Sequence, residues 1–285
     1  MIVSHTALLL DIMDSRKLDR QDRASVQHFT RRCLQDLNQL FRPSLVFAVM
    51  FSAGDEMQGL FRDTGAAYLY VRLLKLLLAP LTLRCGIGVG AWDVRVPGGT
   101  SAEQDGPAYH RARLALEQTH ETAGNAVLLN TGGEMDLPLN AMLLASVCLA
   151  SKQSLIQADI HLLVELLLPF FDDQAMDAAA FPAVGARLAD RDQIPYFHAA
   201  RAGKQLLPDK LTAHLAHQEP IRVYEPAVRR NEMQYATTLL KGIAARLAEI
   251  TGTSRQNSDN ILRKADIQTL RQIDLAILYM LRHNL

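Results

Sequence analysis

The feature that most constrains the fold is the stretch 46–61, in which two apolar arms flank a short acidic turn. An apolar run of strand length leads into Ser-Ala-Gly-Asp-Glu, and apolar residues resume after it. This pattern predicts a β-hairpin. Its tip would present Asp55 and Glu56 beside Gly54, where a ligand can approach the backbone closely because glycine has no side chain. The alternative is an ordinary hairpin whose acidic residues are solvated in the turn.

A second carboxylate, Asp11, follows another apolar run. Residues 7–10 read Ala-Leu-Leu-Leu, which is typical of a buried strand, and Asp14, Ser15 and a charged stretch then lead into a helix. A strand that ends in aspartate before a tight connection offers a carboxylate and free backbone N–H groups near a helix N-terminus. Such an arrangement suits a divalent cation and a phosphate. Alternatively, Asp11 simply ends the strand and Ser15 caps the helix.

Two later stretches add to this pattern. Residues 81–90 predict a strand with glycine at every second position from Gly86 to Gly90, which leaves one face without side chains. Residues 104–114 predict a turn that enters a helix, with Pro107 at an early helical position. The order of elements in residues 1–130 is therefore strand, helix, hairpin, helix, strand, helix and strand. This order predicts an α/β (α+β) domain with helices over one side of a sheet, as in palm-like and ferredoxin-like folds.

Taken together, the four stretches resemble the class III nucleotide cyclase domain, and the turn at 53–57 resembles the Gly-Gly-Asp-Glu-Phe turn of diguanylate cyclases. The set is most similar to the SatD family of bacterial proteins. That family pairs Asp-Ile-x-x-Ser-Arg, Gly-Asp-Glu-x-Gln-Gly, Gly-Ile-Gly and Asp-Gly-Pro-Ala-Tyr-x-x-Ala-Arg with a C-terminal helix-turn-helix. The four motifs stand here, in that order, at 11–16, 54–59, 86–88 and 105–113.

The resemblance implies a site for a nucleotide with Mg²⁺ or Mn²⁺. It makes Asp11 and Asp55 the metal-binding and catalytic carboxylates, and it places the transition-state residue at His110. It also implies that the segment after Asp11 cradles the phosphates. The nucleotide-binding residues would then be Ile12, Met13, Asp14, Ser15, Gly54, Glu56 and Arg111.

The catalytic positions of the cyclases are altered in this chain. The lysine that reads the base in that family aligns with Phe51, and the asparagine of the transition state aligns with His110. The arginine four residues later aligns with Leu114. Arg111 and Arg113 are near in sequence, but a helix turns about 100° per residue, so neither replaces that arginine automatically. The resemblance therefore implies binding more directly than turnover.

Composition limits the partners and the compartment. The 285 residues are 49% hydrophobic, which is enough for a full core and predicts two domains. The formal net charge is zero, so any surface that attracts nucleic acid must be local. Three scattered cysteines, Cys33, Cys85 and Cys148, indicate a reducing compartment. No signal-peptide pattern or long apolar run is present, so we expect a cytoplasmic protein that does not insert into membranes.

The chain beyond residue 130 has a different character. Residues 131–235 predict a helical and linker region, with helices at 140–152 and 154–171 and a proline-containing insert at 172–235 that could be a linker or an inserted lobe. In the last part, 236–285, the spacing of Ala248, Gly252 and Ile261 predicts a helix-turn-helix.

The second helix of that unit would carry side chains that can contact phosphates and base edges. Seven Lys or Arg residues stand against four Asp or Glu residues in 241–285, a modest basic bias. Ser258 is a departure, because Val or Ile usually stands there. The alternative is a plain helical hairpin used for dimerisation. The candidate DNA-binding residues are Arg255, Gln256, Asn257, Asn260, Arg263 and Lys264.

From the sequence we therefore expect a homodimeric, ligand-responsive DNA-binding regulator, in which the cyclase-like domain senses a nucleotide. One alternative is an active metal-dependent nucleotidyl cyclase whose helical tail serves dimerisation. Another is an assembly protein that uses neither activity.

Overall fold

The computed structural model describes residues 4–122, 126–201, 211–215, 221–222 and 239–284, and it shows a mixed α+β protein built on a five-stranded sheet. The sheet has the order β2-β3-β1-β4-β5, in which β1 runs antiparallel to both β3 and β4, and β5 runs parallel to β4. The strands are β1 His5–Ile12, β2 Leu45–Ala53, β3 Glu56–Phe61, β4 Leu83–Gly90 and β5 Val127–Asn130. The predicted hairpin is confirmed as β2–β3, and Gly54 takes a positive φ of 61° in its turn.

Helices cover both faces of this sheet. Helices α1 (Arg20–Leu40) and α2 (Thr64–Leu78) share a core with alternate strand residues such as Leu8 and Ile87. Helix α3 (Pro107–Gln118) shares a separate core with the residues that point the other way. The expectation that helices cover only one side is therefore wrong.

The glycines of β4 explain why α3 packs on the second face. A Cβ atom at Gly88 would lie 2.1 Å from the backbone nitrogen of Ala112 and 2.2 Å from the carbonyl oxygen of Ala108. A Cβ atom at Gly86 would meet the same helix at 2.1 Å. The face without side chains is therefore the seat of α3, whose backbone touches the strand directly.

The helical part follows β5. The helices predicted at 140–152 and 154–171 are found as α4 and α5, and α5 ends at Leu167 before a short strand. The residues 202–210, 216–220 and 223–238, where much of the predicted insert falls, lie outside the described residues. The remaining elements are α4 Asp136–Ser151, α5 Leu155–Leu167, β6 Phe170–Phe171, α6 Phe181–Asp192, α7 Pro195–Ala200, α8 Leu211–Leu215, β7 Ile221–Arg222, α9 Ile243–Thr251, α10 Arg255–Lys264 and α11 Ile267–Asn284.

In the described ranges, no helix combines the length and the apolar character that crossing a bilayer would need. The buried residues of α9, α10 and α11 belong to the same hydrophobic cluster as those of α1 and α2.

A buried ion-pair cluster joins α2, α5 and α11. We use this name for Arg72, Glu165, Arg271 and Asp274, each of which is at most 9% exposed. Arg72 donates two hydrogen bonds to the Glu165 carboxylate, at 3.1 and 3.0 Å, and a third from Nε to Asp274 at 2.9 Å. Arg271 donates a further bond to Glu165. Two cations and two anions from distant parts of the chain therefore neutralise one another inside the protein.

The surroundings of the cluster satisfy its remaining groups. The hydroxyls of Tyr68 and Ser146 donate to Asp274 at 2.6 and 2.7 Å. The Phe170 ring lies 4.2 Å from the Arg271 guanidinium carbon and 5.2 Å from that of Arg72. Burial alone would raise the pKa of Glu165, but Arg271 and Arg72 outweigh it and hold that pKa well below its usual range.

Replacing Glu165 by Gln should lower the free energy of unfolding by about 3–5 kcal/mol at neutral pH, because two buried guanidinium groups lose their shared partner. The folded-state pKa of Glu165 lies below its unfolded value of about 4.3, so its contribution is present above that pH. The contribution is lost as the pH falls through the folded-state pKa, so the difference between the two proteins should shrink below about pH 4. Urea denaturation at several pH values measures this, with the exposed Glu117→Gln as control.

Replacing Gly88 by Ala should cost about 3 kcal/mol or more, since the new Cβ would overlap the backbone of α3 and no flexible side chain can yield. The matched control is Gly133→Ala, where the nearest atom is the Thr131 hydroxyl at 3.1 Å. That variant should stay within about 0.5 kcal/mol of wild type. Equal midpoints for the two variants in urea would contradict the contact between α3 and β4.

Candidate functional site

The strand register brings three charged side chains together on the face that α3 covers. Asp11 stands opposite Glu56 of β3 on one side and opposite Arg84 of β4 on the other. Side chains alternate along a strand, so all three point toward the same face as the glycines of β4. We call Glu56, Asp11 and Arg84 the charged row.

Each acid of the row has an arginine partner. Arg84 donates from Nη2 to the Asp11 carboxylate, and its Nη1 contacts Nδ1 of His120. Arg113, on α3, holds Glu56 with both of its terminal nitrogens, one of them at 2.7 Å. The hydrogen bond from Arg113 lowers the pKa of Glu56 from its ordinary value. Each carboxylate of the row therefore has the positive charge of a guanidinium group beside it.

The loop after β1 lies against the hairpin tip. The Ser15 hydroxyl donates to the carboxylate of Asp55, which joins the two acidic stretches that the sequence singled out. Asp14 takes a left-handed conformation, with φ 57°, and is paired with Lys17 at 2.9 Å. The guanidinium of Arg23, on α1, donates to the carbonyl of Ser15 at 3.2 Å and so ties the loop to that helix.

Several backbone N–H groups of this loop are available. The Met13 N–H donates to the carbonyl of Thr82 at 2.9 Å and is therefore occupied. For the N–H groups of Asp14, Ser15 and Arg16, no acceptor is found within the described part of the chain. Consecutive N–H groups in a turn that includes a left-handed residue form a concavity that suits an anion.

The structure thus brings several of the predicted metal-binding and nucleotide-binding residues to one end of strands β1 and β3. These residues are Asp11, Ser15, Asp55 and Glu56, with Gly54 exposed at the hairpin tip. Ile12 differs, since it is buried on the opposite face among the residues that pack on α1 and α2.

His110 and Arg111 lie elsewhere. Helix α3 begins beside Gly90 and reaches Gly86 at Ala112 and Leu116, so its first turn is at the end of the sheet away from Asp11. His110 is exposed there, with Nε2 3.4 Å from Asp105. Arg111 donates to the carbonyl of Val89 at 2.6 Å. Within one chain, neither residue belongs to the charged row.

The donor atoms fit a magnesium-type ion only in part. Among the described residues, no group of three or more His, Cys, Asp and Glu side chains is placed to hold a metal ion. Mg²⁺, however, is usually bound by one or two carboxylates together with phosphate oxygens and water. Asp11 is paired with Arg84, and Asp55 accepts a hydrogen bond from Ser15, so the two carboxylates are of the chemical type that such a site uses.

Neither Arg84 nor His120 is among the site residues predicted from the sequence, and Arg113 has no predicted partner there. Arg84 stands two residues before Gly86, and strand alternation alone puts it on the glycine face. That signal was available in the sequence. His120 follows α3 in a turn, where no periodicity predicts its direction.

Helices α9 and α10 are joined by a short turn at residues 252–254. Ser254 caps α10 by accepting a hydrogen bond from the Asn257 N–H at 3.1 Å, and Gly252 takes a left-handed φ of 67°. Ser258 is fully buried, and its hydroxyl lies 3.1 Å from that of Thr253. A hydrogen bond thus compensates for the missing apolar side chain at this position.

The candidate DNA-binding side chains are displayed on α10, all exposed except the half-buried Asn260. Arg263 is held by Asp259 at 3.1 Å and by the side-chain oxygen of Asn260 at 2.6 Å. An open groove of about 800 Å³ runs beside α10 and is lined in part by Asp259 and Asp266. The surface is therefore mixed in charge and basic only at the two ends of the helix.

Comparison with known proteins agrees with the motif order. No curated protein matches the chain. The profile of the SatD family matches residues 5–174, which is more than half of the chain and includes the charged row and the hairpin tip. Helices α9, α10 and α11 lie beyond the matched range. The chain therefore belongs to the SatD family.

Proposed function

We propose that this protein is a nucleotide-responsive DNA-binding regulator. Its α/β part binds a nucleotide with a divalent cation at the end of the sheet that carries Asp11, Ser15 and Asp55, and α9 with α10 contacts DNA as a helix-turn-helix. The observation that carries the proposal is the convergence of these two acidic stretches beside backbone N–H groups without acceptors.

The topology supports a palm-like, cyclase-like domain. The order β2-β3-β1-β4 with antiparallel neighbours, and two helices on one face, is that of a ferredoxin-like split βαβ unit. In this interpretation β5 extends the sheet beside β4, and α3 covers the second face.

At the proposed site the carboxylate oxygens of Asp11 and Asp55 would hold Mg²⁺ or Mn²⁺. The cation would neutralise the repulsion between those carboxylates and the phosphates. The N–H groups of residues 14–16 would donate to phosphate oxygens. His110 and Arg111 lie at the far end of α3, so they could reach this nucleotide only from a second subunit. A homodimer is therefore part of the proposal, and light scattering with and without nucleotide tests it.

Binding is proposed in preference to turnover because of the residues at the altered positions. Phe51 packs against the main core and offers no polar group to a base. Leu114 is exposed and apolar. An active metal-dependent nucleotidyl cyclase remains the alternative, and its mark would be a cyclic product.

Each nucleoside triphosphate with Mg²⁺ or Mn²⁺ should be tested for binding and turnover by thermal and urea unfolding and by product analysis. The bound ligand, at about 100 times its dissociation constant, should add about 2.7 kcal/mol to the free energy of unfolding. Asp55→Asn should abolish this increase, because it removes a carboxylate from the cation. The same variant should unfold without ligand at an equal or higher temperature, since one acidic charge of the site is gone.

The exposed Asp93→Asn is the matched control and should keep the ligand-induced increase. An equal increase in Asp55→Asn would place the ligand elsewhere. A cyclic product from the wild-type protein would move the cyclase alternative ahead.

The DNA proposal is tested by selection from random duplexes at physiological salt, with and without nucleotide. Gln256→Ala or Asn257→Ala should relax the preference at one or two base pairs, at about 1–3 kcal/mol each, since these side chains lie in the first turn of α10. Arg263→Ala or Lys264→Ala should weaken binding to all sequences alike and flatten its salt dependence.

The exposed Arg31→Ala, on α1, removes the same charge far from the C-terminal unit and should change neither property. If selection enriches no sequence in either condition, α9 and α10 are only a packing unit.

A further inference from the structure

The charged row contains a residue that the proposed function does not use, Arg84. Its side chain is only 14% exposed, and it lies beside Asp11 because the register of β1 and β4 places them opposite each other. A cation that is largely buried needs a compensating anion, and Asp11 supplies it. The carboxylate that is the candidate cation ligand is therefore already occupied by a guanidinium group of the same chain.

The guanidinium of Arg84 is not fully satisfied. One terminal nitrogen contacts Asp11 and the other contacts His120. Its Nε is buried and has no hydrogen-bond partner among the described residues. A buried donor without an acceptor is unfavourable and rare in folded proteins. An oxyanion of a ligand could supply the missing acceptor, since arginine binds phosphate through several of its donors at once.

We propose that Arg84 is an internal competitor that couples the two halves of the ligand. In the free protein Arg84 neutralises Asp11, and in the complex its guanidinium leaves the carboxylate and binds a phosphate oxygen instead. Asp11 then becomes available to the divalent cation. This inference rests on the proposed nucleotide site and adds that the cation and the phosphate promote each other's binding there.

The consequence is cooperative binding. A divalent cation alone must compete with Arg84 for Asp11, so its affinity is reduced. A phosphate alone meets an arginine whose charge is already neutralised. When both are present, each removes the obstacle to the other, and thermodynamic linkage makes the effect equal in both directions. Couplings of this kind typically change an affinity by about 5- to 150-fold.

Arg113 provides the internal comparison. It belongs to the same face and carries the same charge, but it pairs with Glu56 and is 42% exposed. Arg113→Gln removes one positive charge from the neighbourhood without releasing Asp11. A general electrostatic effect would appear in both variants, whereas competition for Asp11 would appear only when Arg84 is changed.

The test is titration of the full chain with Mn²⁺, alone and with inorganic triphosphate, by calorimetry and by the magnetic resonance signal of free Mn²⁺. In the wild-type protein, triphosphate should tighten Mn²⁺ binding at least about fivefold, after subtraction of the Mn²⁺ that triphosphate binds in a titration without protein. Arg84→Gln should bind Mn²⁺ alone about tenfold more tightly than wild type and should lose the enhancement by triphosphate. Arg113→Gln should behave as wild type, and circular dichroism confirms that each variant is folded.

The outcomes separate the two proposals. If the wild-type protein binds Mn²⁺ with triphosphate but shows no coupling between them, the role of Arg84 is overturned while the nucleotide site stands. The same holds if Arg84→Gln binds Mn²⁺ no more tightly than wild type, or if Arg113→Gln gains as much. If the wild-type protein binds neither probe in any combination, the proposed site and this inference both fail. The wild-type coupling decides the question even if Arg84→Gln does not fold.

Discussion

The arrangement of the described helices depends on the buried ion-pair cluster of Arg72, Glu165, Arg271 and Asp274. Charges removed from water are tolerated only when their partners stand at hydrogen-bonding distance, so α2, α5 and α11 can pack in few other registers. An apolar core alone would allow the helices to slide with a smaller loss. The cluster therefore fixes the position of the last helix against the α/β part, and with it the direction of α10, which precedes α11 by two residues.

The same cluster bears on how a ligand at the sheet edge could influence DNA binding. Two residues separate the hairpin strand β3 from helix α2, and two residues separate α10 from α11. Arg72 on α2 and Asp274 on α11 share a hydrogen bond, so a shift of α2 must be followed by α11 or break a buried contact. A regulator with this construction would transmit a ligand signal by moving helices as bodies. A signal carried instead by local unfolding of α9, α10 and α11 would first have to expose the charged side chains of the buried ion-pair cluster to water.

Local chemistry made part of this structure predictable from the sequence. The hairpin depends on residues close together in the chain, and it is found. The strand predicted at 7–10 is also found, but β1 continues to Ile12 and so includes Asp11. The buried cluster joins residues 93 to 202 positions apart, and charged side chains in helices are normally expected in water. The pairing of Asp11 with Arg84 depends on strand order, which single-strand patterns do not give. The contacts that were not predictable from the sequence are thus those between residues far apart in the chain.

The glycines of β4 determine both the packing of α3 and the placement of its charged side chains. They let the α3 backbone lie directly on the strand, and this close contact fixes which residues of α3 reach which row of the sheet. Arg113 meets Glu56 near the acidic edge, while His110 remains at the other end. Within a single chain, α3 therefore presents Arg113, and not His110, to the charged row. The pairing of Arg84 with Asp11 is the contact that the proposed exchange of partners would break, whereas the pairing of Arg113 with Glu56 would remain.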